Sequence, residues 1–318
     1  KIQNMSKVLV IIKSMGIGDL CILISNIHAI SKKIGRPVSV LAQKNTRARD
    51  ILKYDPHINE IIELNEKEIK GFFNITKILK NKKFEQCYIF SDSVRFFLIA
   101  KFSNIKQIFH YRFFSKKGKN FFKTAKEFIE EILGIKIDPQ SKIYCNKKDI
   151  DEAKKKYGIN DSKKNYLIAP SASGPTKRWK IDNFIKLLGE LNKKHPSNFF
   201  IAGGTEDKIL IENIMKSPIG KNCLSLVQKN VSEIIPIIGA CDYGICNDTG
   251  FAHIASGLGV KCIVLFMDSP PAAYGVYSKN ISIVVPEGES IESCGHNTRG
   301  NDKISFNEVL SKSIELSS

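Results

Sequence analysis

The sequence predicts an α/β protein of two domains, each a doubly wound parallel sheet covered by helices on both faces. Three observations carry this. At 318 residues the chain is long enough for two cores, since a domain takes roughly 100–200 residues. Short apolar runs alternate with longer amphipathic stretches, the pattern of buried parallel strands joined by helices. The rhythm then restarts after the Lys-rich region 147–164, so a second sheet follows the first. In chain order, 8–12, 38–41, 61–64 and 87–90 read as strands of the first sheet. Strands of the second follow at 166–169, 198–202, 243–246 and 262–266, with helices near 181–194, 206–216 and 250–258. The expected domains are 1–155 and 156–318, with a terminal helix over 303–318 free to cross back to the first.

Composition narrows the function classes. With 42% hydrophobic and 25% charged residues the chain is neither disordered nor fibrous. No apolar run approaches the roughly 18–20 residues of a membrane span, and 8–12 is too short for a signal-peptide core, so a cytoplasmic protein is expected. The 8 cysteines are scattered without a CxxC pair, which reads as reduced structural thiols with no zinc site and no disulfide framework. The net charge of +17 is lopsided: residues 1–150 hold 29 Lys and Arg against 14 Asp and Glu. Segment 101–126 has eight basic residues and no acid, interleaved with seven Phe and Tyr. Such a segment suits an anionic partner, although 42 of the 49 basic residues are Lys, as an A/T-rich genome alone would produce. No Cys/His finger or stacking motif accompanies the charge, so nucleic acid is not the expected partner. A phosphorylated lipid or polysaccharide fits it.

Four strand-end turns carry polar chemistry. After strand 8–12 come Ser14, Gly16, Gly18 and Asp19 at the opening of an apolar helix. The third glycine of a dinucleotide loop is replaced by Cys21, and Asp19 stands where a pyrophosphate would lie. A carboxylate at the positive end of a helix is held ionised, so Asp19 is either a general base or the ordinary acidic cap of its helix. After strand 166–169, Ser171, Ser173 and Thr176 supply hydroxyls and Lys177 a cation suited to a diphosphate. Lys177 can neutralise charge on a departing phosphate, and Trp179, the single Trp, anchors the loop by burial. The alternative is a plain solvated connection.

The third turn, Gly203 to Asp207, offers Glu206 to a ribose diol, or else Glu206 and Asp207 merely complement a helix dipole. The fourth runs from Asn247 through Asp248, Thr249 and Gly250 to His253. Amides around Thr249 and Gly250 can hold phosphate oxygens, and Asp248 can accept from sugar hydroxyls. His253, one helical turn on, is by itself more often a hydrogen-bonded structural histidine than a catalyst; within this motif it is expected among the donor-binding residues.

Together these turns resemble glycosyltransferase family 9, the heptosyltransferases of bacterial lipopolysaccharide assembly. The matching pieces are Ser14 to Asp19, the K-x-W of Lys177 to Trp179, the Gly203 to Asp207 turn, and above all N-D-T-G-x-x-H from Asn247 to His253 behind Gly239, Ala240, Cys241 and Asp242. Residues 52–61 also look like the family's "NPHVDEVI" segment. The resemblance implies a GT-B fold with an N-terminal acceptor lobe, a C-terminal nucleotide-sugar lobe and a central cleft. It implies an inverting transferase that needs no cofactor and no metal at the reacting centre, with ADP-heptose as the favoured donor.

By the same resemblance Asp19 deprotonates the acceptor, Lys177 with the Thr249 and Gly250 amides holds the diphosphate, Glu206 binds ribose and Asp248 the donor sugar. The expected partners are a nucleotide sugar and an anionic lipid-linked glycan, with segment 101–126 resting peripherally on the inner membrane surface. The chain departs from the family after strand 262–266, where Met267, Asp268, Ser269, Pro270 and Pro271 replace a "GPTDP"-like loop and leave donor identity open. A transferase of another activated sugar, an epimerase of the same architecture, and a non-catalytic nucleic-acid or membrane binder are the competing readings.

Overall fold

The computed structural model describes residues 7–14, 16–112 and 120–318 and divides into two compact units, Lys1–Pro139 and Gln140–Ser318. In the first, the elements run β1 (Lys7–Ile12), α1 (Ile17–Ile34), β2 (Val38–Gln43), α2 (Ala48–Ile51), β3 (Ile58–Leu64), α3 (Glu66–Lys70), α4 (Phe72–Lys82), β4 (Phe84–Phe90), α5 (Val94–Phe102), β5 (Gln107–His110) and α6 (Phe121–Leu133). Every strand pairing is parallel, in the order β3-β2-β1-β4-β5. Strand order reverses between β1 and β4, because the chain winds first to β2 and β3 and then returns to the other side of β1. At such a reversal the connecting segments part and leave a crevice at the carboxyl edge, where α/β folds place ligands.

Helix α1 is apolar on almost all sides, and every residue from Leu20 to Ser31 is buried. A helix of that kind belongs inside a domain. It packs against α6, and it stops at Gly35, whose left-handed φ of 71° lets its amide and that of Arg36 close onto Lys32 and Ser31 carbonyls. The core beneath the other face joins Leu9, Ile11, Leu41, Cys87 and Ile89 to Ile75 and Leu79 of α4 and Phe96 and Ile99 of α5.

The second unit comprises α7 (Lys147–Tyr157), β6 (Lys164–Ala169), α8 (Ile181–Lys194), β7 (Ser197–Ile201), α9 (Lys208–Lys216), β8 (Cys223–Ser225), α10 (Val231–Gly239), β9 (Tyr243–Asn247), α11 (Gly250–Gly257), β10 (Lys261–Leu265), α12 (Pro271–Tyr274), β11 (Ile281–Val284) and α13 (Phe306–Ser317). Its parallel sheet has the order β11-β10-β9-β6-β7-β8 and reverses between β6 and β9. The expected junction at 155/156 and the structural one at 139/140 differ because the Lys-rich stretch is a helix seated on this unit. Ile143 donates its amide to Gly257 at 2.7 Å, and α7 packs on α10. Gly257 and Gly239 leave the room: a Cβ on Gly257 would meet Ile143 at 2.7 Å, and one on Gly239 would meet Ile150 at 3.3 Å. Helix α13 packs on α8, β9 and β10 of its own unit, with Val309 in a core that includes Trp179, Phe184 and Ile245.

Candidate active site

In the first unit, Ser14 to Asp19 leave the carboxyl end of β1 at the sheet's reversal point. Gly16 is the N-cap of α1 and Asp19 its third residue, half-buried in the first turn. The carboxylate lies back over the helix mouth: a Cβ on Gly16 would stand 3.5 Å from Asp19 Oδ2. Burial first, and the Asp19 charge second, push the Cys21 thiol far above its ordinary range. Ser14, Gly16 and Gly18 are half-buried beside it, and Gln43 Nε2 at the end of β2 donates to the Lys13 carbonyl at 2.7 Å.

In the second unit the loops after β6, β9 and β10 meet at the corresponding reversal point. Asn247, the last residue of β9, is fully buried and staples two of them. Its Nδ2 donates to the Pro170 carbonyl at 2.7 Å, and its Oδ1 accepts from the Trp179 amide at 3.4 Å. Trp179 is buried, T-shaped against Phe184 and stacked on Phe306 of α13. The loop between these anchors therefore hangs from a fixed base. Ser171 is buried within it, Ser173 exposed, and Thr176 and Lys177 half-buried in the turn Pro175–Lys177.

Around that turn the structure gathers two carboxylates and a cation. Thr176 Oγ1 donates to Asp268 Oδ2 at 2.6 Å, and the Arg299 amide donates to Asp268 Oδ1 at 3.0 Å. Ser269 Oγ donates to Asp248 Oδ2 at 2.5 Å. His253 Nε2 stands 3.5 Å from Asp248 Oδ1, while its Nδ1 meets the Tyr277 hydroxyl at 2.9 Å and its ring stacks on Tyr277. Burial raises the pKa of Asp248, but the bond and charge of His253, the Ser269 hydroxyl and the Lys177 charge outweigh it and hold the carboxyl below its ordinary range. Asp268 is likewise lowered: desolvation is overcome by the Thr176 hydroxyl, the Arg299 and Asn297 amides and Lys177. The Lys177 charge thus acts on both acids, which stay ionised at neutral pH.

The sequence-predicted residues divide in this geometry. Thr176, Lys177, Asp248 and His253 come together. Buried His253 sits between Asp248 and Tyr277. Thr249 caps α11, its hydroxyl accepting the Phe251 amide at 3.2 Å, which brings the Gly250 amide to the positive end of that helix. Glu206 stands apart, exposed in the turn after β7 and folded over Gly204, where any side chain would collide with its carboxylate. Its neighbour Asp207 is buried and holds the turn by accepting the Gly204 amide at 3.0 Å.

Sequence reasoning passed over Asp268, Ser269, Arg178 and Tyr277 as site residues. Arg178 donates to the Ala172 carbonyl from Nε at 3.2 Å and Nη2 at 2.9 Å, and Nη2 reaches Asp207 Oδ1 at 3.0 Å, so it braces the Lys177 loop against the Gly203–Gly204 turn. Asp268 carried a readable signal, since it follows β10 at the same edge as the other turns.

Two parallel sheets with polar loops at their reversal points, a cation-and-hydroxyl turn beside a helix mouth, and acids held ionised nearby are features compatible with a glycosyltransferase. The chain belongs to glycosyltransferase family 9 (heptosyltransferase), whose model matches residues 76–304, and its fold is that of the GT-B glycosyltransferases. The family 9 glycosyl transferase from Veillonella parvula DSM 2008 superposes with a TM-score of 0.81 at 17% identity, over 99% of this chain and 98% of that one. E. coli ADP-heptose LPS heptosyltransferase II gives 0.77 at 18% identity, over 98% of each. E. coli heptosyltransferase WaaC, solved with ADP, gives 0.73 at 13% identity, over 98% and 99%. No curated protein sequence matches the chain.

Proposed function

We propose that the protein is an inverting heptosyltransferase that moves heptose from ADP-heptose to a lipopolysaccharide core or a related anionic, lipid-linked glycan. The observation that carries this reading is the cluster of Thr176, Lys177, Asp248 and Asp268 at the β6/β9 reversal, in a chain of the heptosyltransferase family. The reaction forms a bond between an acceptor oxygen and the anomeric carbon and breaks the bond from that carbon to the diphosphate, which leaves as ADP. Charge accumulates on the departing phosphate. Lys177 and the Gly250 amide meet it in this reading, with Ser171, Ser173, Thr176 and Thr249 lining the same side. Asp248, fixed by Ser269 and His253, accepts from the sugar hydroxyls, and exposed Glu206 takes the ribose diol.

Asp19 takes the acceptor proton, and the acceptor oxygen attacks the face of the anomeric carbon opposite the leaving group, as inversion requires. Neither a cofactor nor a metal at the reacting centre enters this chemistry. The basic segment 101–126 receives the anionic acceptor at a membrane surface on the cytoplasmic side; its residues 113–119 lie outside the described residues. Among the described residues, no helix is long and apolar enough to cross a membrane.

The test is Asp19→Asn with ADP-heptose and a deacylated core acceptor. Loss of general-base help lowers kcat by roughly 10²–10⁴ while donor affinity stays within about twofold. Turnover close to that of the unchanged enzyme removes Asp19 from the mechanism. No transfer from ADP-heptose by the unchanged enzyme, with transfer from another nucleotide sugar, overturns the donor assignment.

A further inference from the structure

Helices α4 and α5 bury one side against the first sheet, through Ile75 and Leu79 of α4 and Phe96, Ile99 and Ala100 of α5. They are tied to each other where Ser103 Oγ donates to the Thr76 carbonyl at 3.2 Å. Helical spacing puts Phe73, Lys77 and Lys80 on the opposite side of α4, and Val94, Leu98, Lys101 and Phe102 on that of α5. The apolar members face water: Phe73 is 84% exposed, Phe102 60%, Val94 44% and Leu98 36%. They are also contiguous, since the Phe72 ring lies 5.5 Å from Phe73 and 6.0 Å from Phe102.

The charge on this face is one-sided. Residues 70–106 hold eight Lys and Arg against two acids, Glu85 and Asp92. Lys70 pairs with Glu66 and Lys82 with Glu60, and Arg95 bonds the Ile69 carbonyl. Lys77, Lys80 and Lys101 are exposed and take part in no ion pair among the described residues. Exposed Phe side chains amid unneutralised lysines fit a surface with an anionic head-group layer above hydrocarbon. A second copy fits badly, because a twofold contact would set these lysines against their own images.

We infer that the α4–α5 face docks on an anionic phospholipid bilayer, with Phe73 and Phe102 entering the acyl boundary and Lys77, Lys80 and Lys101 on the head groups. The inference rests on the membrane-surface reading above for its occupant and deepens it by naming the face, which meets segment 101–126 at Lys101 and Phe102.

The test is co-sedimentation of the full chain with phosphatidylglycerol/phosphatidylcholine vesicles without substrates, beside a transfer assay on a soluble acceptor fragment without vesicles. The unchanged protein pellets with anionic vesicles and is released by salt. At about fivefold per lysine, the triple variant Lys77→Gln/Lys80→Gln/Lys101→Gln lowers the partition coefficient about 100-fold. Phe73→Ser/Phe102→Ser lowers it about 10- to 100-fold. Lys154→Gln/Lys155→Gln/Lys156→Gln on α7, with the same charge change at exposed positions, leaves it within about twofold. All substituted positions are exposed, and an unchanged melting curve confirms folding of each variant.

Protein that stays in the supernatant at low salt overturns the inference. So does an equal loss in the α7 variant, or a concentration-dependent dimer that the Phe variants abolish. Vesicle binding without transfer supports this face and sinks the transferase reading, whereas transfer without vesicle binding does the reverse.

Discussion

Asn247→Ala tests whether the reversal point of the second sheet is held by a single side chain. The substitution leaves the Pro170 carbonyl without its 2.7 Å donor and the Trp179 amide without its 3.4 Å acceptor, at a position with no solvent exposure. An orphaned buried polar group costs about 1–3 kcal/mol. The longer bond lies at the low end of that range, so the two losses amount to about 2–4 kcal/mol. For a domain of this size each kcal/mol moves Tm by about 2–4 °C, which places the expected fall between about 4 and 16 °C.

The same change frees the loop that carries Lys177. A displacement of about 1 Å in a positioning element is worth roughly 10²-fold in rate, and that loss is expected in kcat/KM for the donor. Thermal melts at two scan rates, with donor titration by calorimetry and steady-state kinetics over a range of donor concentrations, measure these effects. A variant that melts within 1 °C of the unchanged protein and binds nucleotide equally well would show that Trp179 and the flanking strands hold the loop unaided.

Lys177→Ala should lower kcat/KM for the donor by roughly 10²–10³ if the amine meets the leaving phosphate, with Lys177→Arg recovering part; steady-state kinetics showing no change would refute the role. The lowered pKa values of Asp248 and Asp268 make an acid-stability prediction. Each contributes stability that is fully present above its unfolded value near 3.8 and is lost as pH falls through its lower folded value. Urea midpoints should therefore be flat from about pH 7 to 5 and fall below about pH 4, and Asp268→Asn should shallow that fall; parallel curves for the two proteins would contradict it.

What the sequence left unread in the fold has a common position. Strands β5, β8 and β11 went unrecognised, and all three are edge strands. The central strands β1 and β2 are buried at nearly every residue and show as continuous apolar runs. At an edge the neighbour on one side is missing, so the strand stays short and partly exposed: β8 is three half-buried residues, and Gln107 opens β5 in solvent. Helix α7 escaped for a related reason. Its buried contact is little more than Ala153 and Ile150 on α10, while its many lysines made it resemble a linker.

The site was legible wherever a local motif sufficed and illegible wherever function needs a partner distant in sequence. Asp248 was singled out because N-D-T-G-x-x-H places it at a strand end, but Ser269, which fixes it, and Tyr277, which holds His253 behind it, are more than 20 residues away. Asp268 was visible only as part of an odd loop, because Thr176, which gives it meaning, is 92 residues earlier. Arg178 shows how adjacency misleads. Its place next to Lys177 suggests a second cation for phosphate, yet its guanidinium is occupied by the Ala172 carbonyl and the buried Asp207 carboxylate. The planar fork of arginine suits two fixed acceptors, so of this pair Arg178 holds the loop, while the Lys177 charge acts on Asp248 and Asp268. Glu206 and Asp207 also divide, the buried acid shaping the turn and the other standing exposed at its surface.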